Sequence, residues 1–225
     1  MQIKICGLTR RDDADLAERL GADFLGAIMA GGPRNLTADQ AAQVLGPRRH
    51  TVKRAAVFGA QMMDEIARIA GRISLDVVQL HGDPTPEAVR QLRERVACAV
   101  WPVLRVEGTS IPHAAVELAE AAGALLLDAK VVGHLGGTGS TLDWRGLHAE
   151  VSALRAAVPG VQIILAGGLK STNVVTARGL LLPDVVDVSS GVETAPGIKD
   201  AAQMAAFINV VRARAHNAKH VTGHQ

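Results

Sequence analysis

A chain of 225 residues, 48% hydrophobic and 20% charged, has the composition of a soluble globular protein, with room for one large α/β domain or two small ones. Its net charge of +2 lies at one end. The last fourteen residues hold three of the 24 Lys and Arg residues and no acid, leaving 21 basic against 22 acidic residues elsewhere. A nearly neutral body argues against a nucleic-acid or other polyanionic partner, and no apolar run approaches the ~20 residues of a membrane span.

The N-terminus, MQIKICG, enters a predicted strand at once, which leaves no room for a signal peptide. Cys6 and Cys98 fall on separate predicted strands and form neither a CxxC pair nor a disulfide framework, which suits a reducing compartment. A cytoplasmic protein is expected. Aromatics are only 2%, so the core must be built from Ala, Val, Leu and Ile.

In chain order, aliphatic or β-branched runs predict strands at Gln2–Cys6, Phe24–Met29, Val52–Phe58, Leu75–Leu80, Cys98–Leu104, Ala124–Asp128, Val161–Ala166 and Val185–Val188. Helical patterns fill the gaps. Thr37-Ala-Asp-Gln40 has the form of a capping box ahead of Ala41, Val44 and Leu45. Pro84 and Pro86 stand where a helix would begin, and Ala201, Met204, Ala205, Ile208 and Val211 mark the last helical face. Strands that lack polar alternation and alternate with helices indicate parallel βαβ units. Eight units predict a single (β/α)8 TIM barrel of the α/β class over residues 1–214, with a flexible C-terminal tail at 215–225. The competing open doubly wound sheet would carry a Gly-rich turn after its first strand. Here that turn reads Cys6-Gly-Leu-Thr, with no GxGxxG.

In such a barrel the chemistry gathers at the C-terminal strand ends. Cys6 ends the first strand, with Lys4 two residues earlier on the same face. Asp187, on the strand that closes the barrel beside it, is a plausible partner for Lys4. A nearby ammonium predicts a lowered thiol pKa, against the plainer reading of a core cysteine and a buried ion pair. Asp128 ends Leu125-Leu-Leu-Asp, where burial is expected to keep a carboxyl protonated enough to act as an acid; otherwise it is a cap. Arg34 follows Gly31-Gly-Pro and could grip a carboxylate, and His81 ends Val78-Gln-Leu-His. Gly167-Gly168 and Ser190-Gly191 follow the last two strands, the fold's frequent phosphate site, where a short helix near Gly191 would point its positive end inward. Lys130–Thr141 contains Gly136-Gly-Thr-Gly, long enough for a lid or a site wall but without a Walker A Lys. The remaining histidines are scattered, so no metal is expected.

Several segments, in this order, resemble the phosphoribosylanthranilate isomerases of tryptophan biosynthesis. They are Lys4-Ile-Cys-Gly-Leu-Thr, Val78-Gln-Leu-His-Gly, Leu127-Asp-Ala, Gly136-Gly-Thr-Gly-Ser-Thr-Leu-Asp-Trp, Leu165-Ala-Gly-Gly-Leu, Asn173-Val, and Val186-Asp-Val-Ser-Ser-Gly-Val-Glu with Pro196-Gly-Ile-Lys-Asp. The resemblance implies an Amadori rearrangement with Cys6 as base and Asp128 as acid. It also implies Arg34 on the anthranilate carboxylate, the Gly167/Gly168 and Ser190/Gly191 loops on the phosphate, and no cofactor. The partner it implies is a small phosphorylated sugar, with no obligate protein partner. Two departures stand out: Met29-Ala-Gly-Gly-Pro-Arg-Asn replaces a bulkier Ser-Pro-Arg loop, and Leu142 replaces a phenylalanine before Asp143-Trp144. The rivals are a histidine-pathway barrel isomerase, which would carry an aspartate in place of Cys6, and a barrel that binds phosphometabolites without catalysis.

Overall fold

In the computed structural model, which describes residues 1–129 and 141–213, the aliphatic runs become strands β1 (Gln2–Ile5), β2 (Phe24–Ile28), β3 (Lys53–Phe58), β4 (Val77–Leu80), β5 (Ala99–Val106), β6 (Ala124–Ala129), β7 (Gln162–Leu165) and β8 (Val185–Val188). They pair in sequence order, all parallel, and β8 closes on β1. Helices α1 (Arg11–Arg19), α2 (Ala38–Leu45), α3 (Met63–Arg72), α4 (Pro86–Arg95), α5 (Ala114–Ala122), α6 (His148–Ala157), α7 (Val174–Leu181) and α8 (Ala201–Arg212) alternate with them. The expected barrel is therefore present. The glycine-rich segment at 136–139 and the tail expected from 215 lie outside the described residues.

Local chemistry explains the helix starts. The Thr37 hydroxyl accepts from the Gln40 N–H while the Gln40 side chain accepts from the Thr37 N–H, so the capping box is real. Helix α4 opens on Pro86 behind Thr85, whose hydroxyl accepts from the Ala88 N–H. Asp200 caps α8, whose buried face is Met204, Phe207, Ile208 and Val211.

Two apolar clusters follow from strand alternation. The larger lies between sheet and helices; the smaller, which includes Phe24, Val77, Trp101, Leu126, Ile164 and Val185, fills the barrel interior. Phe24 and Trp101 pack there with ring centroids 5.0 Å apart. Above this apolar layer the interior turns polar, with Lys4, Gln79 and Asp187 all buried.

Past β8 the chain makes a single 3₁₀ turn, Ser190–Val192, and then an antiparallel hairpin of β9 (Glu193–Ala195) and β10 (Ile198–Lys199). This turn and hairpin stand where the glycine pattern predicts a short helix near Gly191. One 3₁₀ turn has too few aligned peptides to act as a helix dipole, so any anion binding there rests on individual N–H groups.

Candidate active site

The eight residues singled out from the sequence come together. Cys6, Arg34, His81, Asp128, Gly167, Gly168, Ser190 and Gly191 all line one cleft of about 340 Å³. It lies at the C-terminal strand ends because Cys6 follows β1, His81 follows β4 and Asp128 sits near the end of β6. The Cys6 N–H is anchored to the Val188 carbonyl at 2.8 Å and the His81 N–H to the Phe58 carbonyl at 2.7 Å.

Below Cys6, Lys4 Nζ donates to Asp187 Oδ2 at 2.8 Å and to Gln79 Oε1 at 2.9 Å. The pairing follows from register, since Lys4 and Asp187 are Cα partners across the closing strands. Burial opposes the Lys4 charge, but Asp187 and the nearby Cys6 outweigh it and hold the ammonium above the ordinary lysine range.

The expected low-pKa thiol is not found. Burial pushes the Cys6 thiol up, and the Asp187 carboxylate pushes it further; Lys4 and Lys199 pull it down without overcoming them. Local spacing shows Lys4 as a favourable neighbour but neither Lys199, the burial nor the reach of Asp187.

Asp128 Oδ1 accepts from the Ala129 N–H at 2.9 Å, and Oδ2 lies 3.5 Å from His81 Nε2, outside hydrogen-bonding geometry. Around the cleft, several buried polar atoms find no hydrogen-bond partner among the described residues: both His81 ring nitrogens, Asp187 Oδ1 and Ser189 Oγ. Buried polar atoms normally have partners, so a ring of exceptions converging on one cleft suits a hydroxyl-rich ligand.

On the opposite wall, Gly167 and Gly168 both take the left-handed backbone region, with φ of 85° and 60°. A β-carbon on Gly191 would lie 1.8 Å from the Leu169 carbonyl oxygen, so the two glycine loops pack backbone to backbone. Asn173 braces the first of them, accepting from the Lys170 N–H at 2.7 Å and donating to the Gly168 carbonyl at 3.0 Å. Two polar residues behind the cleft carried no individual role in the sequence reading. Glu193 binds Arg34, and Lys199 binds Glu193 together with the Cys6 carbonyl. Their only sequence signal was membership of the segments that carried the resemblance. Among the described residues no cluster of three His, Cys, Asp or Glu could hold a metal. No helix there is long and apolar enough to cross a membrane.

Fold and cleft together place the chain among the (β/α)8-barrel proteins that gather a thiol, a carboxyl and two glycine-rich loops at the C-terminal strand ends. Its family model is N-(5'-phosphoribosyl)anthranilate (PRA) isomerase, matched over residues 3–210, and the chain belongs to that family. It is 38% identical to an N-(5'-phosphoribosyl)anthranilate isomerase of Ralstonia nicotianae, across 94% of this chain and 92% of the relative. The crystal structure of phosphoribosyl anthranilate isomerase from Thermotoga maritima superposes with a TM-score of 0.82 at 30% identity, covering 93% of this chain and 98% of that one. A further isomerase structure, in complex with reduced 1-(o-carboxyphenylamino)-1-deoxyribulose 5-phosphate, matches with a TM-score of 0.78 at 29% identity over 93% and 97% of the two chains.

Proposed function

We propose that the chain isomerises N-(5'-phosphoribosyl)anthranilate to 1-(o-carboxyphenylamino)-1-deoxyribulose 5-phosphate, an intramolecular aldose–ketose rearrangement. The observation that carries this reading is the convergence of all eight residues on one cleft. Asp128 gives a proton to the furanose ring oxygen; the C1–O bond breaks and the anilino nitrogen lone pair forms an iminium. Cys6, as thiolate, takes the C2 proton, which the iminium has made acidic, and the electron pair becomes the enolamine. Tautomerisation to the ketone returns the protons. The rearrangement is redox-neutral within one molecule, so this route calls on no cofactor.

The remaining residues hold the two ends of the substrate. Gly167 and Gly168, with Ser190 and Gly191, take the phosphate through backbone N–H groups and the hydroxyl. Arg34 takes the anthranilate carboxylate. His81, with its unpartnered nitrogens, takes a sugar hydroxyl between them. Two unpaired cysteines suit a cytoplasmic setting.

The test is turnover in the presence of a chelator, followed as loss of anthranilate fluorescence, with the ketose product separated from its equal-mass substrate by chromatography and identified by the ketone carbon in its 13C NMR spectrum. Folded protein that leaves the substrate unchanged would overturn the assignment.

A further inference from the structure

Arg34 reaches the cleft with one side already engaged. Its Nε donates to both Glu193 oxygens, at 2.9 and 3.1 Å, and its Nη2 donates to Oε2 at 2.6 Å. The two side chains are only 10% and 4% exposed. Behind them sits Lys199, fully buried, whose Nζ donates to Glu193 Oε1 at 2.7 Å, to the Cys6 carbonyl at 2.5 Å and to the Ser189 carbonyl at 3.1 Å. Its own backbone is pinned to the start of α1, the N–H donating to Asp13 Oδ2 at 3.1 Å. One ammonium thus ties the end of β1, the loop after β8 and, through Glu193, the loop after β2. Neither Glu193 nor Lys199 lines the cleft.

This arrangement constrains Arg34 in two ways. The first is directional. Glu193 occupies the Nε–Nη2 edge of the guanidinium, leaving only Nη1 and the second hydrogen of Nη2, so a ligand carboxylate must meet it end-on. The stem has little freedom to turn, because it crosses the chain so closely that a β-carbon on Gly7 would lie 2.6 Å from Arg34 Cδ. The second is that Arg34 does not have the carboxylate to itself: Lys199 holds Glu193 Oε1 from behind, which fixes the carboxylate that fixes Arg34, although burial draws the Lys199 ammonium down against the pull of Glu193. A buried ion group is an expensive way to fill space, which an apolar cluster does as well. It accounts for itself by fixing a cation whose free edge serves a ligand.

The geometry points to Glu193 and Lys199 as positioning residues that orient Arg34 and so select substrates whose amine substituent carries a carboxylate. This deepens the proposed function and rests on its placement of Arg34 at the anthranilate end. It assigns specificity to two residues that touch no substrate.

The test compares two substrates, N-(5'-phosphoribosyl)anthranilate and the carboxylate-free N-(5'-phosphoribosyl)aniline, on wild type and Glu193→Gln. The expected variant loses about tenfold or more in kcat/KM on the anthranilate substrate, mainly through KM, and less than about twofold on the aniline substrate. Glu193→Asp, which keeps the charge, should recover part of that loss. Equal losses on both substrates by a folded variant would overturn the inference, because a general structural role predicts them. Should Glu193→Gln fail to fold, Glu193→Asp is read the same way: unequal losses support selection and equal losses contradict it. A wild type inactive on both substrates would contradict the isomerase reading itself, and this inference with it.

Discussion

Lys4 and Asp187 meet 2.8 Å apart inside the closed barrel, joined across the β1–β8 seam, Lys4 fully buried and Asp187 nearly so at the floor of the cleft. Removing one partner strands the other charge in the interior, so Lys4→Met should cost about 3–5 kcal/mol, whereas replacing both by apolar residues of similar volume should recover most of it. Urea midpoints of the single and double variants check this. A double variant as unstable as the single would show that the site needs a polar group whatever its charge.

The Cys6 thiol is raised by burial and by Asp187. Its reactive form is the thiolate, so alkylation should climb with pH through a midpoint above the ordinary thiol value of about 8.5. Iodoacetamide rates across pH measure the midpoint, with Cys98→Ser as background so that only Cys6 reports. A midpoint below about 7.5 would restore the low-pKa thiolate expected from Lys4 alone.

Glu193 has the opposite sign. Burial would raise its carboxyl, but Arg34 and Lys199 outweigh it and hold the group below the usual glutamate range. A depressed folded pKa contributes stability that is present above the unfolded value of about 4.3 and lost as pH falls through the folded pKa. Acidification should therefore destabilise wild type more steeply than Glu193→Gln, whose profile loses this component. Denaturant midpoints at neutral pH and near pH 3.5 decide it; parallel profiles would contradict the sign.

At the proposed phosphate end, Gly191→Ala has no room: its β-carbon would fall 1.8 Å from the Leu169 carbonyl oxygen and must push the two glycine loops apart. KM should rise by about tenfold or more while competitive inhibition by inorganic phosphate weakens in parallel. A rise in KM with phosphate inhibition unchanged would place the phosphate elsewhere.

How far the site could be read from sequence depended on how local each signal was. Val185–Val188 was legible to the residue, because a β-branched run has one meaning and sharp ends. Lys4 facing Asp187 was legible as well, since closing a parallel barrel puts the first strand beside the last. The Cys6 pKa direction was not, because burial and the Asp187 field exist only after closure. Nor was the role of Glu193, which meets Arg34 from 159 residues away, or of Lys199, which arrives through an unforeseen hairpin. Pairings of that span leave no periodicity to find.

Proton transfer by Cys6 and Asp128 is measured most directly by kcat/KM on N-(5'-phosphoribosyl)anthranilate for wild type, Cys6→Ser and Asp128→Asn, each checked for an unchanged circular dichroism spectrum. Base and acid on one substrate predict a loss of about a hundredfold or more in either variant. They also predict that Cys6→Ser fails to wash deuterium out of C2-labelled substrate. Either variant retaining near-wild-type turnover would contradict the assignment of proton transfer to this pair.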